Sequence, residues 1–263
     1  ERLRADAFGS AAVVVDWGAA TSRGTVRPEN EDAFGHVGDK LFVIADGMGG
    51  HAGGRLAATT AVQGVLSTAT STGVTSMRDL VRRVPDQVRL ATKARGFEVM
   101  FYPFIIMDIE SGNSLNHPYS DNAATVGQSV YPWRGRITCS PAPGYAGTVD
   151  KTATARTQVD AFLGTAEASE FSGSAGAVTY SGTAEWGFNR FVLHMAELCR
   201  QAGGVDYFCI GTEMVGACLI RDQNNDFPFV EGLISLAAEV TTLLPSSEIG
   251  YAADWSEYHS YRP

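Results

Sequence analysis

The 263-residue sequence has only four cysteines, and no two are spaced as C-x-x-C. It therefore lacks the spacing of a zinc knuckle or a compact disulfide framework. Cys139, Cys199, Cys209 and Cys218 read as buried free thiols, which suits a reducing compartment. Basic residues are also short, with 20 Lys and Arg against 29 Asp and Glu and a formal net charge of −9. Nucleic acid and anionic membrane surfaces would repel such a chain at long range, so neither is an expected partner. No apolar run is long enough to span a bilayer, and Ala11–Val15 is too short for a signal core. The first residue is Glu1, not Met, which suggests excision from a longer chain. Repeats and low-complexity tracts are absent. A hydrophobic content of 44% is ample for a globular core, in one large domain or two smaller ones.

Periodicity divides the chain into two textures. The β-branched runs 11–16 and Leu41–Ala45 predict strands, with a charged turn between them. Leu56, Val62, Val65 and Leu66 recur at helical spacing and predict a helix over about 55–67. A second helix is expected over 77–93, interrupted by Pro85. From Phe97 the segment 98–107 is almost continuously apolar, as in a strand covered on both faces. A polar stretch follows from Ser111 to about Lys151, too long to be a mere connection. Phe191, Met195 and Leu198 predict a helix stopped at Gly203-Gly204, followed by a buried strand at 205–210. Asp226 and Pro228 open another helix, with Leu233, Leu236, Ala237 and Val240 on one face, and 249–253 is a further strand. Alternating strands and helices predict βα units.

Two sets of residues carry chemistry. The first is Arg27-Pro-Glu-Asn-Glu-Asp32 followed by Ala45-Asp-Gly-Met-Gly-Gly-His-Ala-Gly-Gly54. Asp32 and Asp46 at strand ends can bring hard oxygens to one point, and Gly47 lets a carbonyl approach a cation. Arg27 is placed to neutralise a phosphate, and His51 to protonate a leaving group. Residues 16–93 resemble the N-terminal part of bacterial type 2C metal-dependent serine/threonine protein phosphatases. That resemblance implies Asp32, Asp46 and the Gly47 carbonyl as ligands of Mn or Mg, with Arg27 on the phosphate. The family's later Gly-Met-Gly-Thr-Thr and Gly-Asp-Ser-Arg strands and its two closing aspartates do not follow here.

The second set runs through Arg95-Gly-Phe-Glu-Val-Met-Phe-Tyr-Pro-Phe104, Met107-Asp108, Tyr131-Pro-Trp-Arg-Gly-Arg-Ile-Thr-Cys139, Ile210-Gly-Thr-Glu-Met214 and Tyr251-Ala-Ala-Asp-Trp-Ser-Glu-Tyr258. It resembles the glycoside-hydrolase-like TIM-barrel domain of gene transfer agent and phage tail host-specificity proteins. In such a barrel, catalytic groups sit at the C-terminal ends of strands, where Asp108, Glu213, Asp254 and Glu257 fall. Glycoside hydrolysis needs two facing carboxylates, and Glu213 is the leading acid candidate. Tyr102, Trp133, Trp255 and Tyr258 are expected to stack on sugar faces, and Arg134 and Arg136 to pair with carboxylates or hydroxyls. The barrel segment calls for no cofactor. A full barrel takes eight units and about 250 residues, and only about four or five units fit here.

The expected architecture is α/β. A truncated phosphatase-like sandwich segment covers 1–94, and a partial TIM barrel covers 95–263. The leading expectation for function is a tail-associated segment that binds or hydrolyses cell-envelope glycan, with saccharide and other phage tail proteins as partners. Such a protein would be cytoplasmic or virion-associated. The alternatives are a Mn- or Mg-dependent phosphoprotein phosphatase, or an inactive fusion of two gene fragments.

Overall fold

Ala33–Val37 (β1) and Leu41–Ala45 (β2) both alternate half-buried with exposed side chains, the period-2 pattern of strands covered on one face. They pair antiparallel, Ala33 opposite Ala45, across a turn that contains Gly38 in left-handed conformation. The helix Gly54–Ala69 (α1) packs on both strands. Gly35 permits this approach: a Cβ there would stand 2.6 Å from Leu66 Cδ1 and 2.9 Å from Val62 Cγ1. The structure is a computed structural model that describes residues 18–23, 25, 29–38, 41–47, 53–70, 98–174 and 177–260, without the side chains of 258–260. The expected elements at 11–16 and 77–93, together with Arg27 and His51, lie outside those residues.

The chain divides into two compact units, Glu1–Val99 and Met100–Pro263. In the second, the described elements run Met100–Phe101 (β3), Ala153–Leu163 (α2), Phe171–Ser174 (β4), Ala177–Tyr180 (β5), Phe188–Gln201 (α3), Tyr207–Thr212 (β6), Val215–Cys218 (α4), Pro228–Leu243 (α5), Glu248–Ala252 (β7) and Trp255–Ser260 (α6). β3, β6 and β7 form a parallel three-stranded sheet with β6 in the centre, and β4 and β5 form a separate antiparallel hairpin. α5 is the crossover between the parallel strands β6 and β7 and packs on both, one complete βαβ unit. The unit is therefore mixed α/β. Among the described residues the sheet stays open and no barrel closes.

The strand expected over 98–107 is confined to Met100–Phe101. Pro103 has no amide hydrogen to continue a ladder, and side chains then alternate without pairing. Val99, Phe101, Ile105 and Met107 turn inward. Met100, Tyr102, Phe104 and Ile106 turn outward and are exposed, so this segment is not covered on both faces. Asp226 does not cap α5 either. Its N–H donates to Asp222 Oδ1 at 3.1 Å and its carbonyl accepts from the Asp222 amide, so it closes a turn one step before the helix.

The core of this unit lies between β6 and the helices α2, α3 and α5. Phe208, Phe229, Leu193, Val192, Leu236 and Val240 are fully buried. Phe162, Phe188 and Phe229 form one aromatic cluster with centroids 5.6–6.1 Å apart. Two buried carboxylates are held by arginines. Glu197 takes both Arg200 nitrogens at 2.6 and 2.7 Å, and Asp222 takes Arg156 Nε at 2.7 Å. Burial pushes both acids up, but these arginines and the neighbouring N–H donors outweigh it and hold both below the usual carboxylate range. All four cysteines are free thiols, and burial raises each one, Cys199 and Cys218 to about 12. No helix among the described residues is long and apolar enough to cross a membrane.

Candidate functional site

The polar stretch after β3 is an organised loop. Asn113 clamps it, with Nδ2 donating to the Glu110 and Gln128 carbonyls and Oδ1 accepting from the Leu115 and Gln128 amides. Farther along, a single turn of 3₁₀ helix at Arg134–Arg136 packs against α4. Gly216 of α4 makes that contact possible, since a Cβ there would stand 2.6 Å from the Ile137 carbonyl oxygen. The arrangement delivers Trp133 and Arg134 to the end of β6.

Glu213 is the first residue after β6. Its amide donates to the Ala252 carbonyl at 2.9 Å, and its backbone sits at φ +50, a left-handed conformation unusual for a residue with a Cβ. Glu213 Oε2 accepts from Trp133 Nε1 at 2.8 Å and pairs with Arg134 Nη2 at 2.8 Å. The Arg134 guanidinium carbon lies 4.8 Å from the centroid of the Phe104 ring, and its Nε is buried without a partner. Beside this cluster the Tyr102 hydroxyl hydrogen-bonds to buried Thr212 Oγ1. The structure thus brings together four residues singled out in the sequence: Glu213, Trp133, Arg134 and Tyr102. Two partners were not anticipated. Phe104 and Thr212 were quoted in the resemblance strings, but neither was assigned a part in the site.

The other carboxylates stand differently. Asp254 accepts the Ser256 amide at 2.9 Å and also the Ser256 hydroxyl. Glu257 Oε2 in turn accepts the Asp254 amide at 2.6 Å, a reciprocal cap on α6. Glu257 also accepts the Tyr251 hydroxyl at 3.0 Å, and that hydroxyl receives the Met214 amide at 2.7 Å. One tyrosine oxygen therefore joins Glu257 to the peptide following Glu213. Burial first, then the Cys218 thiol, push the Tyr251 hydroxyl far above its ordinary range, so it stays a neutral donor. Asp108 is exposed and lies seven residues beyond the end of β3, not at its end. Trp255, on α6, is also exposed, and no ring or side-chain contact ties it to Glu213.

The cap has a testable pH dependence. The Ser256 hydroxyl and amide hold the Asp254 carboxyl below its usual value. A depressed folded-state pKa gives stabilisation that is complete above the unfolded value of about 3.9 and is lost as pH falls through the folded value. Protection of the Ser256 amide, taken relative to its intrinsic exchange rate, should hold at neutral pH and fall below about pH 4. In Asp254→Ala it should be low at both pH values. Equal protection in the variant would remove Asp254 from the cap.

In the first unit, the β1–β2 register leaves Asp32 and Asp46 as the next residues beyond the Ala33–Ala45 pair, at one end of the hairpin. Gly47 presses on Glu31, where a Cβ would stand 2.3 Å from the Glu31 carbonyl oxygen, and Glu31 Oε2 is buried without a partner. Glu31 is a crowded carboxylate that the sequence reading passed over. Even so, no group of three His, Cys, Asp or Glu among the described residues could hold a metal ion.

Compared with known proteins, residues 186–263 match the family model described as the GTA TIM-barrel-like domain. The matched stretch contains α3, β6, α5 and β7, and with them Glu213, Asp254, Trp255 and Glu257. It relates this part of the chain to the barrel-type domains of gene transfer agents. Tyr102, Trp133 and Arg134 lie ahead of it. The match lends no support to the phosphatase resemblance of residues 16–93. A search of curated proteins returns no match.

Proposed function

We propose that the unit from Met100 onward is a tail-associated, glycan-directed segment that engages a cell-envelope saccharide at Glu213. The carrying observation is the Glu213 corner itself, where a carboxylate on a left-handed backbone at the end of the central parallel strand is gripped by a tryptophan and an arginine. Non-glycine residues in such a conformation persist where the surroundings hold them, and functional sites are among the places where they cluster. Trp133 and Tyr102 supply aromatic surface for a sugar ring, and Arg134 supplies donors for its hydroxyls.

In this reading Glu213 acts as the acceptor carboxylate, because both of its contacts donate to Oε2. That suits the nucleophile or base of a two-carboxylate scheme better than the acid role assigned from strand position alone. Glu257, one hydroxyl away from Met214, likewise accepts all of its hydrogen bonds, so its part in this reading is to hold the Tyr251 hydroxyl beside the corner and to cap the helix. The working location is the virion, beside other tail proteins.

Calorimetric titration of the full chain with oligosaccharides released from bacterial envelopes tests the reading. Binding should weaken roughly tenfold in Trp133→Ala, the loss expected for one aromatic stacking contact. Absence of binding to every envelope saccharide, or binding indifferent to Trp133, would overturn it.

A further inference from the structure

A cleft is lined in part by Arg136 of the Arg134–Arg136 turn. This cleft of about 470 Å³ shares no residue with the Glu213 cluster. Its volume is within the usual range for small-molecule sites. Ile105, Met107, Leu115 and Phe162 give it apolar walls, the first two being the inward-facing residues of the segment whose outward-facing Phe104 lies under Arg134.

The charge of the lining has one sign. Among the described residues Arg136 is the only Lys or Arg of the lining and no Asp or Glu contributes, in a protein whose net charge is −9. Arg136 has no carboxylate partner among the described residues, unlike Arg134, which is committed to Glu213. It is nevertheless held in place. Its guanidinium carbon lies 4.1 Å from the centroid of the Tyr119 ring, and the Tyr119 hydroxyl donates to the Arg136 carbonyl at 2.8 Å. His117 also lines the cleft, and its Nδ1 is buried without a partner. An exposed, unneutralised guanidinium stacked on a tyrosine beside an apolar cleft matches a carboxylate carried on an apolar body, because the fork donates to the anion while the walls take the hydrocarbon.

We infer that this cleft is a binding site for a small organic carboxylate with an apolar body, anchored by Arg136 and separate from the saccharide corner. The inference is independent of the glycan reading, since the two sites use different residues.

Titration of the full chain with 2-naphthoate, followed by calorimetry and ligand-observed NMR, tests it. Two comparison ligands and four variants give distinct arms. Uncharged 2-naphthamide should bind at least about tenfold more weakly, as should 2-naphthoate to Arg136→Gln, the scale of one lost charge-assisted contact. Arg136→Lys should recover part of the affinity, and Glu213→Gln should leave it unchanged. Glucuronate, which has the charge without the apolar body, should bind much more weakly. The inference is overturned if 2-naphthoate fails to bind at millimolar concentration. It is equally overturned if the amide or Arg136→Gln matches the parent pair, or if glucuronate binds as well as 2-naphthoate. Circular dichroism of the Arg136 variants separates loss of the anchor from loss of the fold, and Leu115→Trp, which fills the cleft from an exposed position, should block binding without touching the charge.

Discussion

A Phe208→Ala variant should unfold roughly 6–20 °C below the parent chain in the transition that belongs to the Met100–Pro263 unit. Phe208 is fully buried on the central strand β6, paired on one side with Phe101 and on the other with Ile249. Its ring stacks on Phe101, with centroids 5.6 Å apart and planes 18° from parallel. Truncating a buried phenylalanine costs about 3–5 kcal/mol, from lost transfer free energy plus the cavity left behind. For a unit of this size each kcal/mol lowers Tm by about 2–4 °C. Ile44→Ala, at a residue 82% exposed on β2, is the control and should shift stability by no more than about 0.5 kcal/mol. Differential scanning calorimetry reads both. A loss at Phe208 no larger than at Ile44 would mean that the sheet does not organise this core.

The second large effect is expected at Glu213. Glu213→Gln keeps the shape of the side chain and can still accept the Trp133 N–H, but it removes the charge that faces Arg134. The pair is partly exposed, at 29% and 17%, so its contribution to stability is about 0–1 kcal/mol and the fold should survive. The effect should appear in chemistry instead. If the saccharide bound at this corner is hydrolysed, turnover should fall by about 10²–10⁴-fold, the range for loss of a positioned acid–base group. Reducing-sugar release by the parent chain and the variant, with melting curves alongside, gives the answer. Unchanged turnover would take Glu213 out of the reaction, whereas a collapsed melting curve would show the pair to be structural.

Long, strongly periodic segments were legible in the sequence. The amphipathic faces of α3 and α5, the β-branched run of β2 and the buried strand β6 each declared themselves through side-chain spacing. β1 did not, because Gly35 and His36 dilute its pattern, and the reason for Gly35 is the approach of α1, which lies elsewhere in the chain. The hairpin β4–β5 is short and polar, and α2 is hidden among threonines and alanines with few apolar markers. At the candidate site, position after a strand pointed to Glu213, and the motif strings that carry the barrel resemblance pointed to Trp133, Arg134 and Tyr102. Their mutual arrangement was not legible, since Trp133 and Glu213 meet across 80 positions of sequence. The roles of Asp254 and Glu257 were equally hidden. A D-x-x-E string opening a helix caps it with the same carboxylates that a catalytic reading would assign to substrate.

The left-handed backbone at position 213 has an evolutionary corollary. Glycine is the least strained occupant there, and a side chain with a Cβ carries a penalty of about 1–2 kcal/mol. Drift under selection for folding alone would therefore erode this glutamate toward glycine. On the proposed reading, a lineage that keeps glutamate resists that pull for the sake of its carboxylate, and one that has drifted to glycine keeps the scaffold without the saccharide contact.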